Sequence, residues 1–328
     1  MPDSAHFMTV EKPTRPVTRN ARGEAVLTNG VKGKAKLTIC VPCYNDSADP
    51  LVAALMQMPE AGDTALMLFD DGSGKENLTR RMTRHVMGWP GPARLITSSK
   101  NRGRAHARNR LIEEAKTDWI LFLDADMVPD APNFLRAYLR AAEQSDGPAL
   151  IAGGFSLTQI KPTRETLLHI TQASRSECLP AAKRNEHPGR YVFTSNILVH
   201  ADILKSVSFD DGYTGWGWED VDWGLRVAED FPVRHIENTA THLGLDETDT
   251  LLTKFGGSGA NFARLAERHP EAVKTMTLHR MASTFSKLPA RSAMRSLTRS
   301  MARTSTLPVG IRLYALKTYR ALEYAEHL

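Results

Sequence analysis

Trp119-Ile-Leu-Phe-Leu-Asp-Ala-Asp126 is the stretch on which the reading of the fold turns. An unbroken apolar run, cut off by two carboxylates, reads as a strand buried on both faces that ends at a polar loop. The figure recurs three times upstream. Leu37-Thr-Ile-Cys-Val-Pro42 runs into Tyr44-Asn45, Ala65-Leu-Met-Leu-Phe69 into Asp70-Asp-Gly-Ser73, and Ala93-Arg-Leu-Ile-Thr97 leads to Asn101-Arg-Gly-Arg104. Helical stretches at about 50–58, 75–87 and 103–116 separate the runs. Strand and helix in alternation predict a mostly parallel, doubly wound α/β sheet flanked by helices. Ligands of such sheets bind beyond the carboxyl ends of the strands, where all four polar clusters lie.

A chain of 328 residues, 41% apolar and 24% charged, fits a globular protein with one large α/β domain and appendages. No window approaches the roughly 20 apolar residues of a membrane span. Residues 1–36 are polar, Pro-bearing and basic, which predicts a disordered leader without the apolar core of an export signal. The three cysteines include Cys40-Val-Pro-Cys43, but no second pair follows to complete a zinc site, so strand packing is the expectation. Such usage fits a reducing, cytoplasmic compartment.

Beyond the four runs, a strand is expected at 191–199, a helix at 218–229, a short strand at 233–236 and a helix at 250–268. The net charge of +5 is concentrated late: residues 272–322 hold ten Lys or Arg and no acid, leaving the remainder at −5. Residues 37–248 are therefore the expected catalytic domain and 249–328 a helical, basic extension. Arg291, Arg295, Arg299 and Arg303 recur every fourth residue, with Met294, Leu297 and Met301 among them. That stripe suits either an anionic membrane surface, here the inner face, or a helix packed on the domain.

Several clusters carry chemistry. Asp124 and Asp126 at a strand exit offer oxygens to one divalent cation, with His242 as a further ligand. Asp71, before Gly72, can accept from the ring N–H of uracil, or equally cap a turn. The 101–109 segment crosses from loop to helix, so its Arg residues, Arg104 and Arg108 among them, can meet a nucleotide or diphosphate, or Arg108 can instead tie down an acidic loop. Trp216-Gly-Trp-Glu-Asp-Val-Asp222 combines two flat aromatic faces with three acids at a helix start. Trp216 and Trp218 suit stacking on a sugar ring, and a carboxylate here can serve as general base toward an acceptor hydroxyl.

Taken in order, Val41-Pro-Cys-Tyr-Asn45, Asp70-Asp-Gly-Ser73, Asn101 to Asn109, Asp124-Ala-Asp126 and Gly215-Trp-Gly-Trp-Glu-Asp220 resemble the motifs of family 2 glycosyltransferases, over about residues 37–245. The resemblance implies the GT-A nucleotide-sugar fold. The last element is also similar to that of β-1,4-galactosyltransferases and chondroitin-type polymerases, which implies an inverting enzyme with a UDP-sugar donor. By this resemblance Pro42, Tyr44, Asn45, Asp71, Asn101, Gly103, Arg104, Arg108 and Asp124 bind the donor. Asp124, Asp126 and His242 hold Mn²⁺ or Mg²⁺, Asp220 is the base, and Trp216, Trp218 and Glu219 hold a glycan or lipid-linked acceptor. Trp218 departs from the pattern, because relatives often place a small residue there.

Three other readings are weighed. Retaining polypeptide N-acetylgalactosaminyltransferases share a similar Gly-Trp-Gly element and late His, but their Asp-x-His is Asp124-Ala-Asp126 here. A glycan- or nucleotide-binding module without catalysis is the second. A nucleic-acid binder rests on the basic tail alone and is not expected.

Overall fold

The computed structural model describes residues 17–328. Its strands are β1 (Thr18–Arg19), β2 (Ala25–Thr28), β3 (Leu37–Cys43), β4 (Thr64–Asp70), β5 (Ala93–Thr97), β6 (Trp119–Leu123), β7 (Met127–Pro129), β8 (Leu150–Ala152), β9 (Phe155–Ser156), β10 (Asn196–His200), β11 (Val233–His235) and β12 (Ala240–His242). The main sheet runs β1-β2-β5-β4-β3-β6-β10-β8-β11. The four runs read from sequence form its parallel centre, β5-β4-β3-β6. Its flanks are mixed: β10 is antiparallel to β6 and β8, β11 is parallel to β8, and β2 is antiparallel to β5.

The central strands are apolar on both faces because helices cover both. Ile39, Val41, Leu68 and Leu121 pack into one layer with the helices Asp49–Met56, Glu76–Gly88 and Phe134–Glu143. Cys40, Phe69, Ile96 and Phe122 pack into the other with the helices Arg104–Glu114 and Glu219–Asp230. Burying each such side chain contributes about 1.5–3 kcal/mol. Cys40 and Cys43, at even and odd positions along β3, fall into opposite layers as free buried thiols.

Three sequence expectations need correction. The leader is not wholly disordered: residues 18–28 form a hairpin whose second strand extends the sheet along β5. It is pinned by the buried Glu24, which takes Arg110 Nε and Nη2 at 3.0 and 2.7 Å. Residues 1–16 lie outside the described part. The strand expected at 191–199 begins only at Asn196, because a 3₁₀ turn, Pro188–Tyr191, occupies the approach. The helix expected at 250–268 is two, Thr248–Gly257 and Gly259–Arg268, broken at buried Ser258 after a Gly pair of low helix propensity.

The extension is helical as expected, ending in Thr277–Phe285, Arg291–Arg303 and Val309–Tyr324. The arginine stripe faces acids of neighbouring elements: Arg295 lies 3.6 Å from Glu323 and 3.4 Å from Glu326, and Arg303 2.8 Å from Asp249. Arg291 reaches Glu326 at 3.7 Å. No helix among the described residues is long and apolar enough to cross a membrane.

Candidate active site

The carboxyl edge of the parallel strands is knitted loop to loop. Asp71 N–H donates to the Cys43 carbonyl, and Asn45, at φ 56°, donates its N–H to Ser73 Oγ at 2.8 Å. The Asp71 carboxylate, 3% exposed, accepts the backbone N–H of Arg102 and of Gly103, the latter at 2.8 Å. Gly72 lets this happen: a Cβ there would stand 2.4 Å from Asn101 N. Pro42, Tyr44, Asn45, Asp71, Asn101 and Gly103 thus sit at three touching strand exits, those of β3, β4 and β5, and Tyr44 presents an exposed ring beside them.

Helix Arg104–Glu114 starts at this edge and sends Arg108 inward. Its guanidinium, 3% exposed, binds Asp124 at 2.9 Å. Burial opposes that charge, but Asp124, Asp220 and Glu219 outweigh burial and raise the group above its ordinary value. Of the two roles left open by sequence, the tie to an acidic loop is the contact present.

Asp126 follows one turn later. Pairing of β7 with β12 sets His242 opposite Met127, which brings His242 Nε2 to 3.2 Å from Asp126 Oδ2. Burial acts against both charges, yet the mutual hydrogen bond lowers the Asp126 carboxyl and raises the His242 imidazole. A Cβ on Gly244 would fall 2.0 Å from Asp126 Oδ2 and 3.1 Å from His242 Nε2, so only glycine keeps this cradle open. Among the described residues no three His, Cys, Asp or Glu side chains converge as a ready-made cage. The expected triad is instead a pair, with Asp124 engaged by Arg108, whose buried charge needs an anion. A carboxylate and an imidazole side by side fit a divalent cation that would take its remaining ligands from diphosphate and water.

The Gly-Trp-Gly-Trp loop leads into helix Glu219–Asp230. Trp218 caps it at φ 77°, a conformation costing about 1–3 kcal/mol in a non-glycine residue. Packing holds it there: its ring lies 4.8 Å from Phe262, and its Nε1 donates to Tyr324 Oη at 2.9 Å. The large residue at 218 is therefore the peg that fastens this loop to the C-terminal helix. Trp216 packs on Phe255. Asp222 is fully buried and takes Arg226, Arg268 and His269, so this third acid anchors the helix head.

Asp220 is held by a residue that sequence reasoning missed. Thr194, buried just before β10, donates its hydroxyl to Asp220 Oδ1 at 2.8 Å and its N–H to Oδ2 at 3.2 Å. Adjacent Glu219 lies 4.0 Å from Arg104, and burial together with the Asp220 charge pushes it up to about 7. Both acids open onto a cavity of about 470 Å³ walled by Trp216, Trp218, Phe193 and Tyr191. The extension closes this cavity with Met276, Leu278, Met281, Lys317 and Arg320, which no motif flagged. The ring contacts Phe193–Phe155 and Phe155–His242 join it to the Asp126–His242 pair.

Comparison with known proteins bears on this arrangement. The model of glycosyl transferase family 2 matches residues 38–204. A teichoic acid poly(glycerol phosphate) polymerase of Staphylococcus epidermidis is 33% identical over 132 residues, 39% of this chain and 17% of that protein. An N-acetylglucosaminyltransferase of Sinorhizobium fredii is 29% identical over 116 residues, 34% of this chain and 28% of that one. The matches thus span under a third of either curated relative. Among solved structures, a mannosyltransferase from Pyrobaculum calidifontis in complex with GDP-Man and Mn²⁺ superposes with a TM-score of 0.55. At 14% identity, over 90% of this chain and 87% of that one, the likeness speaks for the GT-A fold.

Proposed function

The chain belongs to glycosyl transferase family 2, and on that premise we propose that it transfers a sugar from a nucleoside diphosphate donor to an acceptor hydroxyl with inversion. The observation that carries this reading is Asp220: a carboxylate gripped on both oxygens by Thr194, opening onto an aromatic-walled cavity. Two donors to its oxygens fix the orientation of a general base, and the aromatic walls offer a face to a pyranose.

The donor lies along the carboxyl edge, over the Tyr44-Asn45 and Asn101–Arg104 loops, with Asp71 bracing the loop that meets the base. A UDP-sugar is the proposed donor class, with galactose or N-acetylgalactosamine as first candidates from the Gly-Trp-Gly-x-Glu-Asp element. Asp126 and His242, with Asp124 beside them, would hold Mn²⁺ or Mg²⁺, which neutralises charge on the departing diphosphate. Arg108 balances the surrounding carboxylates. Asp220 takes the acceptor proton as that oxygen attacks the anomeric carbon opposite the nucleotide. The bond from that carbon to the diphosphate oxygen breaks, and a single displacement inverts the centre. Glu219, Trp216 and the cavity-facing part of Trp218 position the acceptor, a glycan or lipid-linked glycan.

The test is turnover of Asp220→Asn and the configuration of the product. Loss of the base should lower kcat by about 10²–10⁴-fold with donor binding kept. NMR of the wild-type product should show an inverted anomeric proton. Near-normal turnover by Asp220→Asn, or a retained configuration, removes this mechanism.

A further inference from the structure

Three cations without an acidic partner among the described residues meet on one cavity wall, two from the extension and one from the Pro188–Tyr191 turn. Arg291, Arg295 and Arg303 are ion-paired, and Arg312 is spent on Ala302 O and Thr248 Oγ1. Arg190, Lys317 and Arg320 have no acidic partner among the described residues, yet all three line the same cavity.

Arg320 is the best defined. Its guanidinium carbon lies 4.2 Å from the centre of Phe255, 5.1 Å from Trp218 and 5.3 Å from Tyr324. Nε donates to Tyr324 Oη at 3.0 Å. The two terminal nitrogens have no protein acceptor among the described residues, so a planar pair of donors is pre-set by stacking and remains available. Lys317 stands on the same helix, three residues before it. Arg190, from the Pro188–Tyr191 turn, lies over the Tyr191 ring at 5.5 Å. These cations come from two separate elements. The acids on the wall are otherwise placed: Glu219 and Asp220 form the site just described, and Glu177 accepts Gln172 Nε2 at 3.0 Å.

We propose that the cavity selects an acidic acceptor, one whose sugar carries a phosphate or carboxylate received by Arg320, Lys317 and Arg190 while its ring lies against the tryptophans. Guanidinium and ammonium donors recognise both anions, and the apolar Met276, Leu278 and Met281 exclude water and strengthen such contacts. A neutral sugar would leave these cations without a partner on the cavity wall, which is how a polar pocket disfavours the wrong ligand. This inference rests on reading the cavity as the acceptor site, and its test is independent of the donor.

Tryptophan fluorescence of the full chain is titrated with glucose, glucose 6-phosphate and glucuronate, because Trp216 and Trp218 line the cavity. At least one anionic sugar should bind about tenfold or more tighter than glucose, with the preference weakening in added salt. Tighter binding of glucose 6-phosphate identifies a phosphate source, and of glucuronate a uronic-acid source. Lys317→Ala, at an exposed position, and Arg320→Gln should each reduce the ratio toward one. Equal binding of neutral and anionic sugars overturns the inference, as does a preference that survives both substitutions. Failure of the transferase reading shows separately, as absence of stabilisation by nucleotide and metal.

Discussion

Glu219 and Asp220 are neighbours in sequence with different surroundings. Thr194 supplies two hydrogen bonds to Asp220, while Glu219 is buried beside a like charge and sits at about 7. The raised value has a stability consequence with a definite sign. In the unfolded chain Glu219 titrates near 4.5, so between that value and about 7 the folded state binds more proton. Its contribution is therefore present below pH 4.5 and lost as pH rises through 7. Glu219→Gln should stabilise the protein at pH 8, by at most about 3 kcal/mol, and much less at pH 5. Thermal melts of both proteins across that range check this, and an equal difference at both pH values counts against it. Asp220 was legible as part of a motif, but its holder was not. Thr194 sits 26 residues upstream, and only packing of the helix head beside β10 joins them.

At the scale of elements, legibility followed strand length. The parallel centre has five to seven residues per strand, enough apolar run to declare itself. Strands β7, β9 and β12 have two or three, too few for any period, yet they carry His242 to Asp126. The β1–β2 hairpin was hidden because a polar leader leaves only Leu27 of β2 fully buried. Arg184 was likewise unseen, though it joins β8, β11 and the segment around Leu179. It donates to the carbonyls of Leu179, Ala152, Gly153 and Ile236 and to His235 Nδ1, while His235 Nε2 faces the Pro188 carbonyl at 2.9 Å. An Nδ1 that accepts from arginine cannot take a proton, and burial depresses His235 to about 4 from 6.5. The unfolded chain then binds the extra proton, so stability should fall as pH drops from about 6.5 to 4. Urea titrations of wild type and His235→Gln should differ less at pH 4.5 than at pH 7. A constant difference would contradict the assignment.

Across the whole molecule, the boundary expected near residue 249 is crossed by the site itself. The extension is basic in sequence, which drew attention to its surface. Its structural part is played by rings: Tyr324 receives Trp218 Nε1 and Arg320 Nε and pairs with Ser258 Oγ, holding two cavity-wall residues from behind. Sequence motifs end before this helix, so the part of the cavity wall that the extension supplies had no signal. Tyr324→Phe leaves the Trp218 N–H without its acceptor and should cost about 1–3 kcal/mol. It should also raise the acceptor KM more than the donor KM. A matching rise in both would mean that the helix supports the fold without shaping the acceptor site.

The central claim is a nucleotide-sugar transferase with a divalent cation at Asp126 and His242, and thermal stability of the purified chain tests it most directly. Nucleoside diphosphates and their sugars are compared with Mn²⁺ and with EDTA, since a ligand that binds only the native state raises the melting temperature. Stabilisation is expected from UDP and at least one UDP-sugar with Mn²⁺, abolished by EDTA and weakened in Asp126→Ala. No response to any nucleoside diphosphate in the presence of metal would contradict it.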